Sequence, residues 1–319
     1  MPEETNNIKE SLIKSPRSRK NLSWISIASA KKTEIEFLRK KFNFDLKQLR
    51  LSLSNTKSQR PIIEENGKYF FLILHFPIFD GDNIIPAEIN FFVTKQFVIT
   101  LHDDNLDILN EFFNLSRKDP GSLLSSKLQK PEILLYEILS KLIISCYDIL
   151  DENSIAISEI ESIIMDGSHR QAVDEILLLK RNIINIRKIM QNHKNIFKKL
   201  MVIQKTPLAA EKLKEHYTKL IEHSKTFWEI LDNQREMIEA LDETNQSMLN
   251  FRISDIMKTL TMFSVIVFPL TLLAALFGMN ITGGMPFLND SNGFWIIMAI
   301  MLFGTFLMIL FFQKKKWFK

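Results

Sequence analysis

Residues 278–293 read GMNITGGMPFLNDSNG, a glycine-rich loop with no lysine or arginine and a single acid, Asp290. It joins two apolar runs, TLTMFSVIVFPLTLLAALF (259–277) and FWIIMAIMLFGTFLMILFF (294–312), neither of which carries a charge. Each is close to the roughly 20 residues that cross a bilayer's hydrocarbon core. Basic residues flank the pair on one side only. Arg252 and Lys258 precede the first run, and QKKKWFK (313–319) follows the second. Positive flanks stay in the cytoplasm, so both termini are expected inside and the loop outside.

Working outward, the 319 residues are 46% hydrophobic, but the apolar residues before about 255 recur at helix or strand spacing among many charges. The first 20 residues hold no apolar core segment, so no cleaved leader is expected. The lone Cys146 fits a reducing compartment. A net charge of +4 calls for no nucleic-acid partner. No phosphate loop, ligand-spaced histidine cluster or nucleophile motif is present, so neither an enzyme nor an organic cofactor is expected.

Residues 1–20 read as a flexible basic tail. LSWISIA (22–28) reads as a strand, KKTEIEFLRKKFN as an amphipathic helix, KYFFLILHFPIF and EINFFVTKQFVITLHD as strands, and NLDILNEFFNLS as a helix. Together 21–125 form an α/β domain with a small sheet. Residues 126–206 form a helical hairpin. One coiled-coil seam runs through Leu135, Leu139, Leu142, Cys146, Ile149, Asn153, Ala156, Ile160 and Ile163, and MDGS (165–168) makes the turn. The second seam runs through Ile176, Leu179, Ile183, Ile186, Met190, His193, Phe197 and Leu200. After QKTP (204–207) a stalk helix (207–255) continues unbroken into the first span (256–278). At 1.5 Å per residue its roughly 70 residues make a rod of about 105 Å, which needs neighbours beyond its own domain and so implies an oligomer. An external loop (279–293), a second span (294–313) and a basic cytoplasmic tail (314–319) complete an α+β cytoplasmic domain, a coiled-coil stalk and two C-terminal transmembrane helices.

One face of the long helix carries Asn250, Ser254, Met257, Thr261, Ser264, Phe268, Thr271, Ala275 and Gly278. Small and hydroxyl residues dominate it inside the span, whereas Val265, Ile266, Leu272 and Leu276 on other faces are bulky. Membrane helices also use small and hydroxyl residues simply to pack.

GMN (278–280) closing the first of two C-terminal spans, MP (285–286) after it, KKKWF (314–318) at the end, and FLRKKFNFDLKQLRLSL, QRPIIEENGKYFFLILHFP and FVITLHD in order before them resemble the CorA family of divalent-cation transporters from about Trp24 to Phe318. The resemblance implies a funnel-shaped homopentamer in the cell membrane that transports Mg²⁺, with Co²⁺ or Ni²⁺ also accepted. It implies a central pore lined by the first span, with Asn280, Thr271, Phe268, Leu260 and Met257 in order from outside inward. The filter is then Gly278, Met279 and Asn280, where Asn280, and lower down Thr271, hold the ion through its hydration shell, as suits a cation that dehydrates reluctantly. The loop departs from many relatives in lacking a glutamate soon after GMN or MP, which weakens cation concentration at the mouth.

Below the span, Glu236 and Glu243 extend the same face as candidate vestibule acids. The family also implies regulatory metal at acidic subunit interfaces, for which Glu222, His223, Asp103 and Asp104 are the candidates. Lys219 stands where an acid is common, and an ion pair with an acid of a neighbouring domain is the expected substitute. A soft-metal site from His216, His223, Glu215 and Glu222 is a further possibility on this face. Two other functions compete with Mg²⁺ transport. A ZntB-like, proton-coupled zinc transporter is favoured by ThrGlyGly (282–284) and disfavoured by Met279. A non-conducting, membrane-anchored coiled-coil scaffold predicts a uniformly aliphatic stripe.

Overall fold

The computed structural model describes residues 7–13, 22–53, 60–103, 105–118, 130–203, 210–279, 284, 286–287, 291–315 and 317. The chain divides into two compact units, Met1–Asp242 and Glu243–Lys319.

The first unit is built on a six-stranded sheet in the order β1-β2-β6-β5-β4-β3, from strands β1 (Ile8–Ile13), β2 (Leu22–Ala28), β3 (Ile62–Asn66), β4 (Tyr69–Asp80), β5 (Asn83–Thr94) and β6 (Phe97–His102). Only β2 and β6 run parallel. Helices cover both faces, which explains why YFFLILHFP in β4 is apolar almost throughout rather than alternating. On one face, α1 (Lys32–Phe42) and α2 (Leu46–Leu51) contribute Ile35, Leu38 and Leu49 to a core with Ile25, Ile27, Phe71, Ile73, Phe92 and Ile99. On the other face α3 (Asp107–Lys118) brings Phe112 and Phe113 to Trp24, with ring centroids 5.5 and 4.9 Å away. The Trp24 indole nitrogen donates to Thr100 Oγ1 at 3.1 Å, so its one polar atom is satisfied in the core.

Helices α4 (Pro131–Met165) and α5 (His169–Met190) pack on the same face, against β4 and β5. The β4–β5 hairpin turns at Gly81, whose φ of 58° favours glycine. Its tip is clamped to α5: Asn182 Oδ1 accepts from the Ile84 amide at 3.0 Å, and Asn182 Nδ2 donates to the Asp82 carbonyl at 2.7 Å. Asn185 Nδ2 donates to the Ile84 carbonyl at 3.1 Å. Cys146 is buried in α4, donates its thiol hydrogen to the Leu142 carbonyl, and has its pKa pushed up by that burial, so it is an inert packing residue.

Four expectations change. Residues 8–13 are not tail but an edge strand paired antiparallel with β2, and Ile13 is fully buried. Six residues with two charges are too short a pattern to show their periodicity. The second hairpin arm is interrupted at Gln191–Asn192, where α6 (His193–Ile203) begins, although every residue of its seam is buried. The first seam drifts, so that Ile157 and Ile164 are buried where Ala156 and Ile163 are only half-buried. A straight helix of 3.6 residues per turn departs from a seven-residue repeat in this way.

The last change concerns α7 (Ala210–Phe277). Within the first unit it presents Leu213, Tyr217, Leu220, Ser224, Phe227, Leu231, Gln234 and Ile238 as a buried heptad stripe. Tyr217 Oη donates to the Glu132 carbonyl of α4 at 3.1 Å, and Tyr147 Oη of α4 donates to the His223 carbonyl at 3.0 Å. Gln234 Nε2 donates to the Leu150 carbonyl at 2.6 Å, and its Oε1 accepts from Asn153 Nδ2 at 3.2 Å. This part of the stalk therefore finds a partner within its own chain.

His193 is fully buried, its ring 5.0 Å from Phe76 and 5.8 Å from Phe197, and Nδ1 donates to the Met190 carbonyl. Desolvation lowers its pKa from 6.5 to about 4, against the opposing pull of that carbonyl. The neutral ring is favoured in the fold, so its contribution is complete above pH 6.5 and is lost as pH falls from there towards 4, by up to about 3 kcal/mol. Thermal midpoints of the purified protein should fall across that window, and His193→Leu should flatten the decline. Asn182→Leu should lower the midpoint at every pH, because it strands the Ile84 amide and the Asp82 carbonyl at a cost of about 1–3 kcal/mol.

Candidate ion-conduction path

The second unit contains the rest of α7 and helix α8 (Gly293–Lys314), both long and apolar enough to cross a membrane. The most apolar stretch of α7 is 6% buried and that of α8 not at all. Side chains so exposed and so apolar require lipid or further protein around them. Thr261 and Val265 of α7 and Leu307, Met308 and Phe311 of α8 line one shared apolar groove. Phe312 is buried, with its ring 5.4 Å from that of Trp317.

Met257, Leu260 and Phe268 are 55%, 57% and 69% exposed, and so remain available to line a path. Asn250, Ser254, Thr261, Thr271, Ala275, Gly278 and Met279 are exposed as well, and Ser264 is half-buried. Within the span the hydroxyls on this face are already engaged. Thr261 Oγ1 donates to the Met257 carbonyl at 2.8 Å, Ser264 Oγ to Leu260 at 2.9 Å, and Thr271 Oγ1 to Val267 at 2.9 Å. Each hydroxyl proton therefore points into the helix, leaving oxygen lone pairs to face outward. The stripe offers acceptors without negative charge, which sequence reading saw only as small polar residues. Pro269 has no amide to bond the Val265 carbonyl one turn earlier, which frees an additional acceptor in the span.

At the end of α7 the Gly278 amide donates to the Ala274 carbonyl at 2.9 Å, and a Cβ on Gly278 would lie 3.1 Å from that same oxygen. Asn280 lies outside the described residues, as does Asp104. The start of α8 is tighter still. A Cβ on Gly293 would come within 2.1 Å of the Phe287 carbonyl oxygen, so the loop returns over this glycine at backbone contact.

Of the vestibule candidates, Glu236 and Glu243 are both exposed. Of the regulatory candidates, Glu222 is exposed and His223 half-buried, with its ring 6.2 Å from Tyr147. Asp103 lines a cavity in the first unit, where its carbonyl accepts from His102 Nδ1 at 2.7 Å. Among the described residues no three His, Cys, Asp or Glu side chains come together as a metal site. His216 is instead stacked on Tyr136 at 4.5 Å, and Glu215 pairs with Lys219 at 3.2 Å. The partner of Lys219 is therefore one turn away on its own helix, in an exposed pair of small energetic worth.

The family described as CorA-like Mg²⁺ transporter protein matches residues 19–315. The chain is similar to the cobalt/magnesium transport protein CorA of Methanocaldococcus jannaschii, at 23% identity over 297 residues, covering 93% of this chain and 91% of that one. Its fold is similar to the complete structure of the CorA magnesium transporter from the same organism, with a TM-score of 0.82 at 23% identity over 93% of this chain and 91% of the other. The cytoplasmic domain of ZntB from Vibrio parahaemolyticus is a more distant likeness, with a TM-score of 0.55 at 12% identity over 76% of this chain and 98% of that one.

Gly293→Ala should lower the thermal midpoint of the purified protein, with a destabilisation of about 1–3 kcal/mol. Gly304→Ala, where a Cβ meets nothing within 4 Å, should be close to neutral in the same melts.

Proposed function

Because this chain belongs to the CorA-like Mg²⁺ transporter family, an integral-membrane family of transporters and not of enzymes, we propose that it conducts hydrated Mg²⁺ through a pore lined by the membrane part of α7. The observation that carries this reading is the stripe Thr261, Ser264 and Thr271, whose protons are donated backward to the helix and whose lone pairs face outward. Water bound to Mg²⁺ is a strong hydrogen-bond donor and is given up slowly. Neutral acceptors can orient that water shell yet let the ion leave, whereas a ring of carboxylates would hold it.

Several copies arranged about a central axis, five by resemblance to the family, would turn each stripe position into a ring. Asn280 would form the outer ring that admits the ion. Thr271 would repeat the contact lower down, and Phe268, Leu260 and Met257 would be apolar constrictions that close by dewetting. Glu236 and Glu243 would raise cation concentration at the inner mouth. Regulatory Mg²⁺, if held by Glu222, His223 or Asp103, needs groups from a second copy. Both termini would be cytoplasmic, as the basic flanks require. Co²⁺ and Ni²⁺ fit the same hydrated path.

Proteoliposome uptake tests the reading, with Mg²⁺ and Zn²⁺ offered separately, with and without a proton gradient. Voltage-driven Mg²⁺ entry is expected. Thr271→Val, which keeps shape and removes the acceptor, should cut it about tenfold, while Thr271→Ser should restore most of it. Asn280→Ala should abolish it. Zn²⁺ entry that needs the proton gradient would instead identify a zinc transporter, and no flux of either ion would leave a membrane-anchored scaffold.

A further inference from the structure

The face of the sheet that α1 and α2 cover has an uncovered end. Side chains alternate along a strand, so the core positions Ile73, Phe92 and Leu101 are followed on the same face by His75, by Asn90 and Glu88, and by Asp103. A cavity of about 360 Å³ lies there, within the size range of small-molecule sites.

Its wall carries a fixed polar relay. His75 Nε2 donates to Glu88 Oε2 at 3.2 Å, and Asn90 Nδ2 donates to Glu88 Oε1 at 2.8 Å. The carboxylate fixes the Asn90 amide, since the flipped form would set two acceptors against each other. Asn90 is 3% exposed, and its Oδ1 has no hydrogen-bond partner. A buried carbonyl oxygen in that position calls for a donor.

The lining residues include the acids Asp80, Glu88 and Asp103 and no lysine or arginine, so the donor should be cationic. It is not a bare metal ion, because among the described residues no three ligating side chains converge. Nor does the site suit a hydrated ion, since Leu53, Ile85 and Leu101 make much of the wall apolar. The acids are also spread out. Glu88 lies opposite His75, whereas Asp80, which also borders the cavity, lies at the hairpin end of β4. A linear cation with charges spaced along an aliphatic chain matches this arrangement.

We propose that this cavity binds a linear aliphatic polyamine, with one terminal ammonium donating to Asn90 Oδ1 beside Glu88 and the other near Asp80. The site is independent of the transport reading and stands or falls by binding alone.

Spermine titrated into the full-length protein in detergent, followed by calorimetry, is the test. Saturable binding is expected, and it should weaken about tenfold in Asp80→Lys, which changes only an exposed residue at the end of β4. Glu88→Gln, which keeps the hydrogen bond from Asn90, should weaken it to a similar degree, and melts of both variants should match wild type. Butan-1-ol should not bind. Absence of saturable spermine binding, wild-type affinity in both variants, or displacement by Mg²⁺ at lower concentrations than spermine itself requires would overturn the proposal.

Discussion

Hydrocarbon offers no hydrogen-bond partner, and the two apolar spans of this chain follow from that restriction. The two spans carry no charge, and the hydroxyls of α7 hand their protons to carbonyls of their own helix. The same arrangement that satisfies each donor internally decides what the helix shows to its surroundings. A serine or threonine that has donated its proton behaves as an acceptor alone. A helix built to be tolerated by lipid thereby acquires a face suited to a cation wrapped in water. Pro269 works in the same direction by a different route, since it withholds a donor instead of redirecting one.

The first unit obeys the complementary rule that buried polar groups must find one another. Trp24 with Thr100, Tyr217 with Glu132, and Gln234 with Asn153 each place a polar atom inside an apolar layer with its partner supplied. Asn182 does the same for backbone, completing the hydrogen bonds of a hairpin tip that no further strand covers. A few buried atoms lack such a partner, among them Asn90 Oδ1, which borders the cavity. Its neighbour Glu88 accepts from both His75 Nε2 and Asn90 Nδ2.

Much of the architecture could be read from the sequence because its signals are long or strongly periodic. The two charge-free runs, the aromatic strands around Phe71 and Phe92, and the Leu135–Ile160 seam are of this kind. The membership implied by GMN and its surroundings agrees with the family match. What escaped was short or masked by composition. β1 has only six residues, and its pairing with β2 depends on partners distant in sequence. The buried stripe of α7 contains Ser224 and Gln234, whose polarity interrupts its apolar pattern until α4 is seen to supply their surroundings. For the candidate site, residue types along the hydroxyl face of α7 were legible, but the direction of each hydroxyl proton depends on helical geometry and was not. The Asn90 cavity was invisible, because three strands contribute to it at positions that look unrelated in the chain.

The amide pair between Asn153 and Gln234 has a consequence for the lineage of such stalks. An aliphatic seam tolerates slippage, since one leucine replaces another with little loss, but a buried amide has only one mate. Insertions or deletions in α7 between Tyr217 and Gln234 are therefore compatible with both anchors only if they come as whole heptads and α4 lengthens to match. Stalk length in relatives of this protein should thus vary in steps, and a grafted stalk will seat correctly only when the amides arrive together.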